Sequence, residues 1–321
     1  MSHNLVLPRP GAPPSLANPP ISGPPESAFT SIFGTLLPPA QYLTTPHGKA
    51  AYYTIPPSSP AQTADRVLFI HGVQTPALGM LPLATALHTS FPAMEFVLLD
   101  LWGHGLSDTP ILPHDAALFH GLLDALLDHL KWPFVHLIGF SFGASLTVGY
   151  IASRPSRVQS FTLVAPAGLF RSTSFTAEEQ ELFQPGSDED AARKWVFRFL
   201  EGGELVVPQD WRERVGKGEF VAEAVREWEM RKHAGHVGSV VAIVRDGGVM
   251  DNHDCFVRAA GTGIPALVVL GEKDDVCSEQ EVRGLGFKDV FVVPQAGHGV
   301  VRERVPEVAG FISDFWGNLG I

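Results

Sequence analysis

The chain has 321 residues, 45% of them hydrophobic and 18% charged, and a formal net charge of −11. This length predicts one large domain with an insertion or two smaller domains, and the acidic balance argues against a nucleic-acid partner. Two cysteines are too few for a disulfide scaffold, and no apolar run approaches the ~18 residues of a membrane span, so we expect a cytoplasmic protein without a transmembrane segment.

The N-terminal region is rich in proline, since residues 1–60 hold 14 of the 27 prolines. Proline lacks a backbone donor and disfavours helix in the residue before it. We therefore predict an extended arm over residues 1–28, either disordered or laid on the surface. A ligand for a proline-binding partner is the alternative interpretation of this arm.

From residue 49 onward, short apolar runs alternate with helical patterns. Such runs are typical of strands buried on both faces. In Asp115–Trp132 the leucines recur every four residues, which predicts an amphipathic helix. The alternation predicts an α/β fold with a mostly parallel central sheet and helices on both faces. The predicted strands are Lys49–Thr54, Arg66–Ile70, Glu95–Leu99, Phe134–Ile138, Val158–Val164, Pro265–Leu270 and Val290–Val293.

Residues 168–250 interrupt this alternation, because they show helical segments and no convincing strand. Helices are expected over Thr176–Phe183, Asp188–Leu200 and Phe220–His233, the second of them capped by Ser187. This segment is predicted to be an inserted helical cap or lid. The core then consists of residues 29–167 and 251–321.

A Gly-x-Ser-x-Gly motif follows the predicted strand Phe134–Ile138 and precedes a potential helix, Ala144–Ser153. A serine in a strained turn between strand and helix needs small neighbours two residues away, which Gly139 and Gly143 provide. The motif therefore predicts Ser141 as a nucleophile. The alternative is a glycine-rich turn without chemistry.

Two further segments, together with the Gly-x-Ser-x-Gly motif, resemble those of a known protein family. His71-Gly72-Val73 and the segment from Asp100 to Asp108 resemble turn motifs of the α/β-hydrolase superfamily, and the resemblance extends over residues 49–318. It implies that the backbone N–H groups of Val73 and Phe142 form an oxyanion hole.

A serine nucleophile needs a base, and the chain has 13 histidines. His298 lies in a glycine-flanked loop after the last predicted strand, where this family places its catalytic histidine. His71 and His104 are the competing candidates, although the family uses histidine structurally in both turns. Three histidines in or beside the insertion are candidates for lining the substrate pocket: His233, His236 and His253.

The acid of the triad is expected between Ser141 and His298, after a strand. Asp274 meets this expectation in a turn that resembles the family's Gly-x-x-Asp. Asp275 is the near alternative, and Glu272 is interpreted as a surface or supporting residue. Cys277 is interpreted as a small buried apolar residue and not as a nucleophile.

These residues predict a serine hydrolase that cleaves an ester or related acyl bond of a small, partly hydrophobic substrate. Alternatives are a carbon–carbon bond hydrolase with the same triad and a ligand-binding receptor on a hydrolase scaffold. No cofactor, metal or nucleotide motif is present, and the oligomeric state is left open. The inserted segment contributes aromatic residues that either roof the pocket or form its own core: Phe170, Phe175, Phe183, Trp195, Phe197, Phe199, Trp211 and Trp228.

Overall fold

The computed structural model of the chain describes residues 5–11, 18–58 and 65–321. Part of the predicted N-terminal arm, residues 1–4 and 12–17, therefore lies outside the described residues. In the described part of the chain, no helix is both long enough and apolar enough to cross a membrane.

Eight strands and thirteen α-helices make up the described structure. The strands are β1 (Gln41–Thr45), β2 (Gly48–Ile55), β3 (Arg66–Ile70), β4 (Glu95–Leu99), β5 (Val135–Phe140), β6 (Val158–Val164), β7 (Ala266–Gly271) and β8 (Asp289–Val293). The helices are α1 (Glu26–Phe33), α2 (Leu81–Ser90), α3 (Ala116–His129), α4 (Phe142–Ser153), α5 (Ala177–Glu181), α6 (Glu189–Glu201), α7 (Trp211–Gly216), α8 (Ala222–Lys232), α9 (His236–Asp246), α10 (His253–Ala260), α11 (Glu279–Gly284), α12 (Val300–Glu303) and α13 (Val305–Leu319).

The strands form one sheet in the order β1-β2-β4-β3-β5-β6-β7-β8. Strands β1, β2 and β4 pair antiparallel, and all pairs from β4 to β8 are parallel. The predicted α/β fold class with a mostly parallel sheet is confirmed. Because β5, β7 and β8 are parallel, the segments that follow them emerge at the same edge of the sheet.

The core lies on both faces of the sheet. Leu68 and Ile70 of β3 pack in the cluster that includes α3, α4 and α10, whereas Val67 and Phe69 pack in the cluster that includes α2 and α13. Successive strand residues point to opposite faces, so a continuous apolar run supplies both clusters.

Six α-helices, α5 to α10, lie between β6 and β7, and five of them, α5 to α9, fall in residues 168–250, for which the sequence predicts helices without strands. The cap residue of α6 is Asp188, one residue later than the predicted Ser187. The Asp188 carboxylate accepts from the N–H groups of Asp190 and Ala191, whereas the Ser187 hydroxyl donates to the carbonyl of Leu182. A carboxylate at this position satisfies two free N–H groups at the positive end of the helix.

The described part of the N-terminal arm packs on the protein. Leu7 is buried, and the Arg9 guanidinium donates to the Asp246 carboxylate at 2.8 Å. Helix α1 begins at Glu26, so the predicted end of the arm at residue 28 lies inside a helix. Helix α1 is stabilised against α8 because Phe29 and Phe33 pack edge-on against Trp228.

Candidate active site

Ser141 occupies a sharp turn between β5 and α4. Its backbone has φ 52° and ψ −117°, a region that residues with a Cβ atom rarely adopt. The turn is held by the Ser141 N–H, which donates to the carbonyl of Val164 at 3.0 Å. The geometry raises the Ser141 side chain above the carboxyl edge of the sheet, in the strand–turn–helix setting of a nucleophile elbow.

Three glycines make room for this turn. A Cβ atom on Gly143 would lie 2.1 Å from the carbonyl oxygen of Ile70, and one on Gly139 would lie 2.5 Å from the carbonyl oxygen of Gly143. A Cβ atom on Gly72 would lie 2.9 Å from Cβ of Ser141. The two carbonyl oxygens belong to the backbone, and the position of a Cβ atom is fixed by its own backbone, so only glycine fits these positions.

His298 connects the serine to a carboxylate. Its Nε2 atom lies 2.9 Å from Oγ of Ser141, and its Nδ1 atom lies 3.1 and 3.0 Å from the two carboxylate oxygens of Asp274. A carboxylate only accepts hydrogen bonds, so these partners assign the proton of a neutral imidazole to Nδ1. Nε2 is then free to accept the hydroxyl proton of Ser141.

The structure separates the three acidic candidates of the turn after β7. The Asp274 side chain is fully buried and also accepts the N–H of Val276 at 3.1 Å. Asp275 is exposed and lines the cavity described below. Glu272 accepts from Gln295 and not from His298, as its interpretation as a supporting residue predicts.

The competing histidines are engaged elsewhere. His71 donates from Nδ1 to the carbonyl of Gly72 at 2.7 Å and accepts the N–H of Leu101 at Nε2 at 2.9 Å. His104 contacts the carbonyl of Trp102 and the N–H of Gln74 in the same way. Both side chains are buried, and burial lowers the pKa of His71 to about 4. A neutral imidazole with both nitrogens occupied has a structural role here.

Of the two amides predicted as the oxyanion hole, one directly follows Ser141 in the chain and the other belongs to a residue of the cavity wall. Phe142 is the first residue of α4, so its N–H lacks an intrahelical acceptor. Val73 lines the cavity on which Ser141 opens. In the described residues, neither amide donates to a backbone carbonyl in the loops and turns.

A cavity of about 380 Å³ opens at Ser141 and His298. Of the aromatic residues of the insertion, Phe170 and Phe199 line it. Phe175, Phe183 and Trp195 pack against one another edge-on or tilted, with ring centroids 4.8–5.9 Å apart, and Phe175 and Trp195 also stack on Phe170 and Phe199, respectively. Five polar residues of the wall were not predicted from the sequence: Gln74, Thr75, Glu201, Arg226 and Arg302.

Two of the predicted pocket histidines instead join the insertion to the core. His236 donates to the carbonyl of Gly103 at 2.9 Å, and the His233 imidazole contacts the carbonyl of Ser107 at 2.8 Å. Beside them, the buried Glu229 carboxylate accepts the N–H of Gly105 at 2.6 Å, and burial raises its pKa well above the usual value. None of the three lines the cavity, and His253 does not line it either.

Cys277 is buried, and burial raises the pKa of its thiol far above the usual range. A thiol that stays protonated is a poor nucleophile. Within residues 5–11, 18–58 and 65–321, no three His, Cys, Asp or Glu side chains converge as a metal site.

The sequence is similar to those of known enzymes. Residues 65–304 match the family model of the alpha/beta hydrolase fold. The chain is 28% identical over 214 residues to the dihydrolipoyllysine-residue acetyltransferase component of the acetoin cleaving system of Pseudomonas putida, a match that covers 66% of this chain and 53% of that protein. It is also 22% identical over 231 residues to the AB hydrolase superfamily protein YisY of Bacillus subtilis, covering 69% and 81% of the two chains. The chain thus spans about half the length of the first relative.

Solved structures share the fold. The enol-lactonase of Burkholderia xenovorans LB400 superposes with a TM-score of 0.64 and 18% identity, covering 86% of this chain and 100% of the other. A thermophilic esterase of Thermogutta terrifontis superposes with a TM-score of 0.62 and 16% identity, covering 87% and 98%.

Proposed function

The chain belongs to the alpha/beta hydrolase fold family, and from this premise we propose that it is a serine hydrolase. Its proposed reaction is the cleavage of an ester or related acyl bond of a small, partly hydrophobic substrate through an acyl-enzyme. The observation that carries the proposal is the continuous path of hydrogen bonds from Ser141 through His298 to Asp274, which opens on a cavity.

The proposed reaction follows from the positions of these groups. Oγ of Ser141 attacks the acyl carbon while Nε2 of His298 takes its proton, and the imidazolium then protonates the departing alcohol. A water molecule, deprotonated by the same nitrogen, attacks the acyl-enzyme and releases the acid and Ser141. The buried Asp274 carboxylate orients the imidazole and stabilises its positive charge during both steps.

The N–H groups of Val73 and Phe142 are proposed to bind the oxygen that becomes negative in each tetrahedral intermediate. The Phe142 N–H belongs to the positive end of α4, and Val73 lines the same cavity as Ser141. One such donor contributes on the order of 3–4 kcal/mol to transition-state stabilisation.

The cavity indicates the size and polarity of the substrate. A volume of about 380 Å³ lies near the lower end of the range for small-molecule sites. Its apolar wall includes Phe170, Phe199 and Val249, which supports a substrate with a hydrophobic part. Two of these residues come from α6 and from the segment before α5. We infer that the helices from Ala177 to Asp246 act as a lid over the site.

The experiment is the hydrolysis of p-nitrophenyl esters of graded acyl length by the wild type, Ser141→Ala and Ser153→Ala. Ser153 ends the same helix and does not line the cavity; its hydroxyl donates to the carbonyls of Gly149 and Tyr150 and accepts from Arg154, so its variant is the matched control. We expect activity in the wild type and in Ser153→Ala, with a loss of at least about 10³-fold in Ser141→Ala.

Activity that persists in Ser141→Ala would contradict the serine mechanism. Failure of every ester, combined with failure of a fluorophosphonate to label the folded protein, would favour a receptor. Labelling without ester turnover would instead direct the next assay to carbon–carbon bond substrates.

A further inference from the structure

One cation in the wall of the active-site cavity, Arg302, forms no ion pair or side-chain hydrogen bond with the part of the chain that the structure describes. Arg302 belongs to α12, four residues beyond His298. Its guanidinium carbon lies 5.8 Å from the ring centroid of Phe140, and that ring lies 5.4 Å from the His298 imidazole. Arg302 therefore presents its charge close to the reacting groups.

The neighbouring arginines are paired. Arg226 donates to Glu201 at 2.6 Å, and Arg304 forms an ion pair with Glu307. Among the ion pairs of the described residues, none involves Arg302. Three carboxylates, those of Glu303, Glu223 and Glu201, act on the Arg302 charge from beyond ion-pair distance. Burial, followed by the positive charge of Arg226, lowers the pKa of Arg302. Arg302 is half-buried in the cavity wall, so an anionic group of a ligand can reach its guanidinium from the cavity.

The charges of the wall define the ligand that fits. The Arg226–Glu201 pair is neutral overall, and Asp275, the other carboxylate of the wall, forms no ion pair with Arg302. Arg302 is thus a positive charge of the wall without an ion-pair partner among the described residues, beside an apolar surface that includes Phe170 and Phe199. One positive charge matches a monoanion, and a planar guanidinium matches the two oxygens of a carboxylate. A dianionic phosphate would leave negative charge beside Glu201.

We propose that Arg302 binds a carboxylate of the substrate, so that the substrate class is esters or related acyl compounds that carry one free carboxylate. This inference rests on the proposed hydrolase function and specifies its substrate. The carboxylate would lie in the space above Phe140, on the His298 side of the cavity, and would hold the acyl carbon in reach of Ser141.

The kinetic test compares two p-nitrophenyl esters that differ in one charge, the monoester of adipic acid and the ester of hexanoic acid. For Arg302→Gln we expect about a 10- to 100-fold rise in KM on the adipate monoester and less than about a threefold change in kcat/KM on the hexanoate. Arg302→Lys keeps the charge and should recover part of the loss. Arg258→Gln, on an exposed arginine of α10 away from the cavity, is the control and should change neither substrate.

Equal losses on the two esters in Arg302→Gln, or no loss on either, would overturn the proposal. The first result would assign Arg302 a structural role against Phe140. Circular dichroism of both Arg302 variants shows whether they fold. The lysine variant keeps a cation over the Phe140 ring, so it separates a lost contact with the substrate from a lost contact with that ring.

A binding measurement makes the inference independent of turnover. Monomethyl adipate and dimethyl adipate are titrated calorimetrically into Ser141→Ala, and then into the same protein with Arg302→Gln. Tighter binding of the monomethyl ester that is lost with Arg302 supports the inference, even if no ester is hydrolysed and the proposed function fails. Equal binding of the two ligands overturns it, even if the wild type hydrolyses esters.

Discussion

Glu272 accepts hydrogen bonds from the backbone N–H and the side-chain amide of Gln295, at 2.7 and 2.9 Å. This contact joins the turn that carries Asp274 to the loop that carries His298. The Lys273 N–H strengthens the junction by donating to the carbonyl of Ala296 at 2.7 Å. Gln295 has a positive φ of 60°, so the Glu272 contact also stabilises an unfavourable backbone conformation.

Removal of this contact should affect the chemical step more than binding. For Glu272→Ala we expect kcat to fall about 3- to 30-fold with KM nearly unchanged, because the imidazole loses its fixed position between serine and acid. Steady-state kinetics on one ester measures both constants. Glu279→Ala, on the exposed start of α11, is the control. An unchanged kcat in Glu272→Ala would show that the backbone contacts alone hold the two loops.

Asp274→Asn should abolish most of the activity without unfolding the protein. The amide donates where the carboxylate accepts, so it favours the wrong imidazole tautomer, and an analogous substitution in another triad lowers kcat about 10⁴-fold. Asp275→Asn should retain activity within about threefold, since the exposed Asp275 makes no contact with His298. Parallel losses in the two variants would contradict the assignment of Asp274 as the acid.

Two glycine-to-alanine changes should have opposite effects on stability. Gly143→Ala places a methyl group 2.1 Å from the Ile70 carbonyl oxygen, so we expect a loss of about 1–3 kcal/mol or more. Gly121→Ala meets no atom within 4 Å and lies in an exposed position of α3, so it should stabilise by about 0.5–1 kcal/mol. Urea unfolding of both variants measures the difference, and a stable Gly143→Ala would contradict the tight elbow.

Stability should fall on acidification below pH 6.5. Burial lowers the pKa of seven histidines, to about 4 in the case of His120, so between pH 6.5 and 4 the unfolded chain binds more protons than the folded one. Their contribution is therefore complete above pH 6.5 and is lost as the pH falls toward 4. The seven are His71, His104, His114, His120, His136, His233 and His236.

Three carboxyl groups oppose this trend. Burial raises the pKa of Asp100 to about 6, that of Glu229 well above its usual value and that of Glu201 above its usual value, so all three favour the folded state at low pH. The histidines outnumber them, and we expect a net loss of at least about 1 kcal/mol per pH unit between pH 6.5 and 5. Urea unfolding at each pH measures the slope, which should be smaller in His120→Gln. A flat or rising profile on acidification would contradict the account.

The sequence predicts the buried sheet well where apolar runs stop at polar residues. Strands β3, β4 and β6 have the predicted bounds. Strand β1 was missed because only Leu43 of its five residues is buried, so an edge strand leaves no apolar pattern. Helix α9 is not among the predicted helices because valine has a low helix propensity, and packing on all sides overrides that preference.

The sequence identifies the triad candidates because each follows a strand in a turn with recognisable glycines. The cavity wall has no such marker. Gln74, Arg226 and Arg302 come from three distant segments, and only the fold brings them together. The prediction that residues 168–250 form a lid stays a prediction.

The central claim is that Ser141 is an activated nucleophile, and covalent labelling with a fluorophosphonate tests it most directly. After digestion, mass spectrometry locates the adduct in the wild type, Ser141→Ala and His298→Ala. We predict a single adduct on Ser141, absent from Ser141→Ala and formed at least about 100 times more slowly in His298→Ala, because the base activates the hydroxyl. An unlabelled wild type, or an adduct on another residue, would contradict the account.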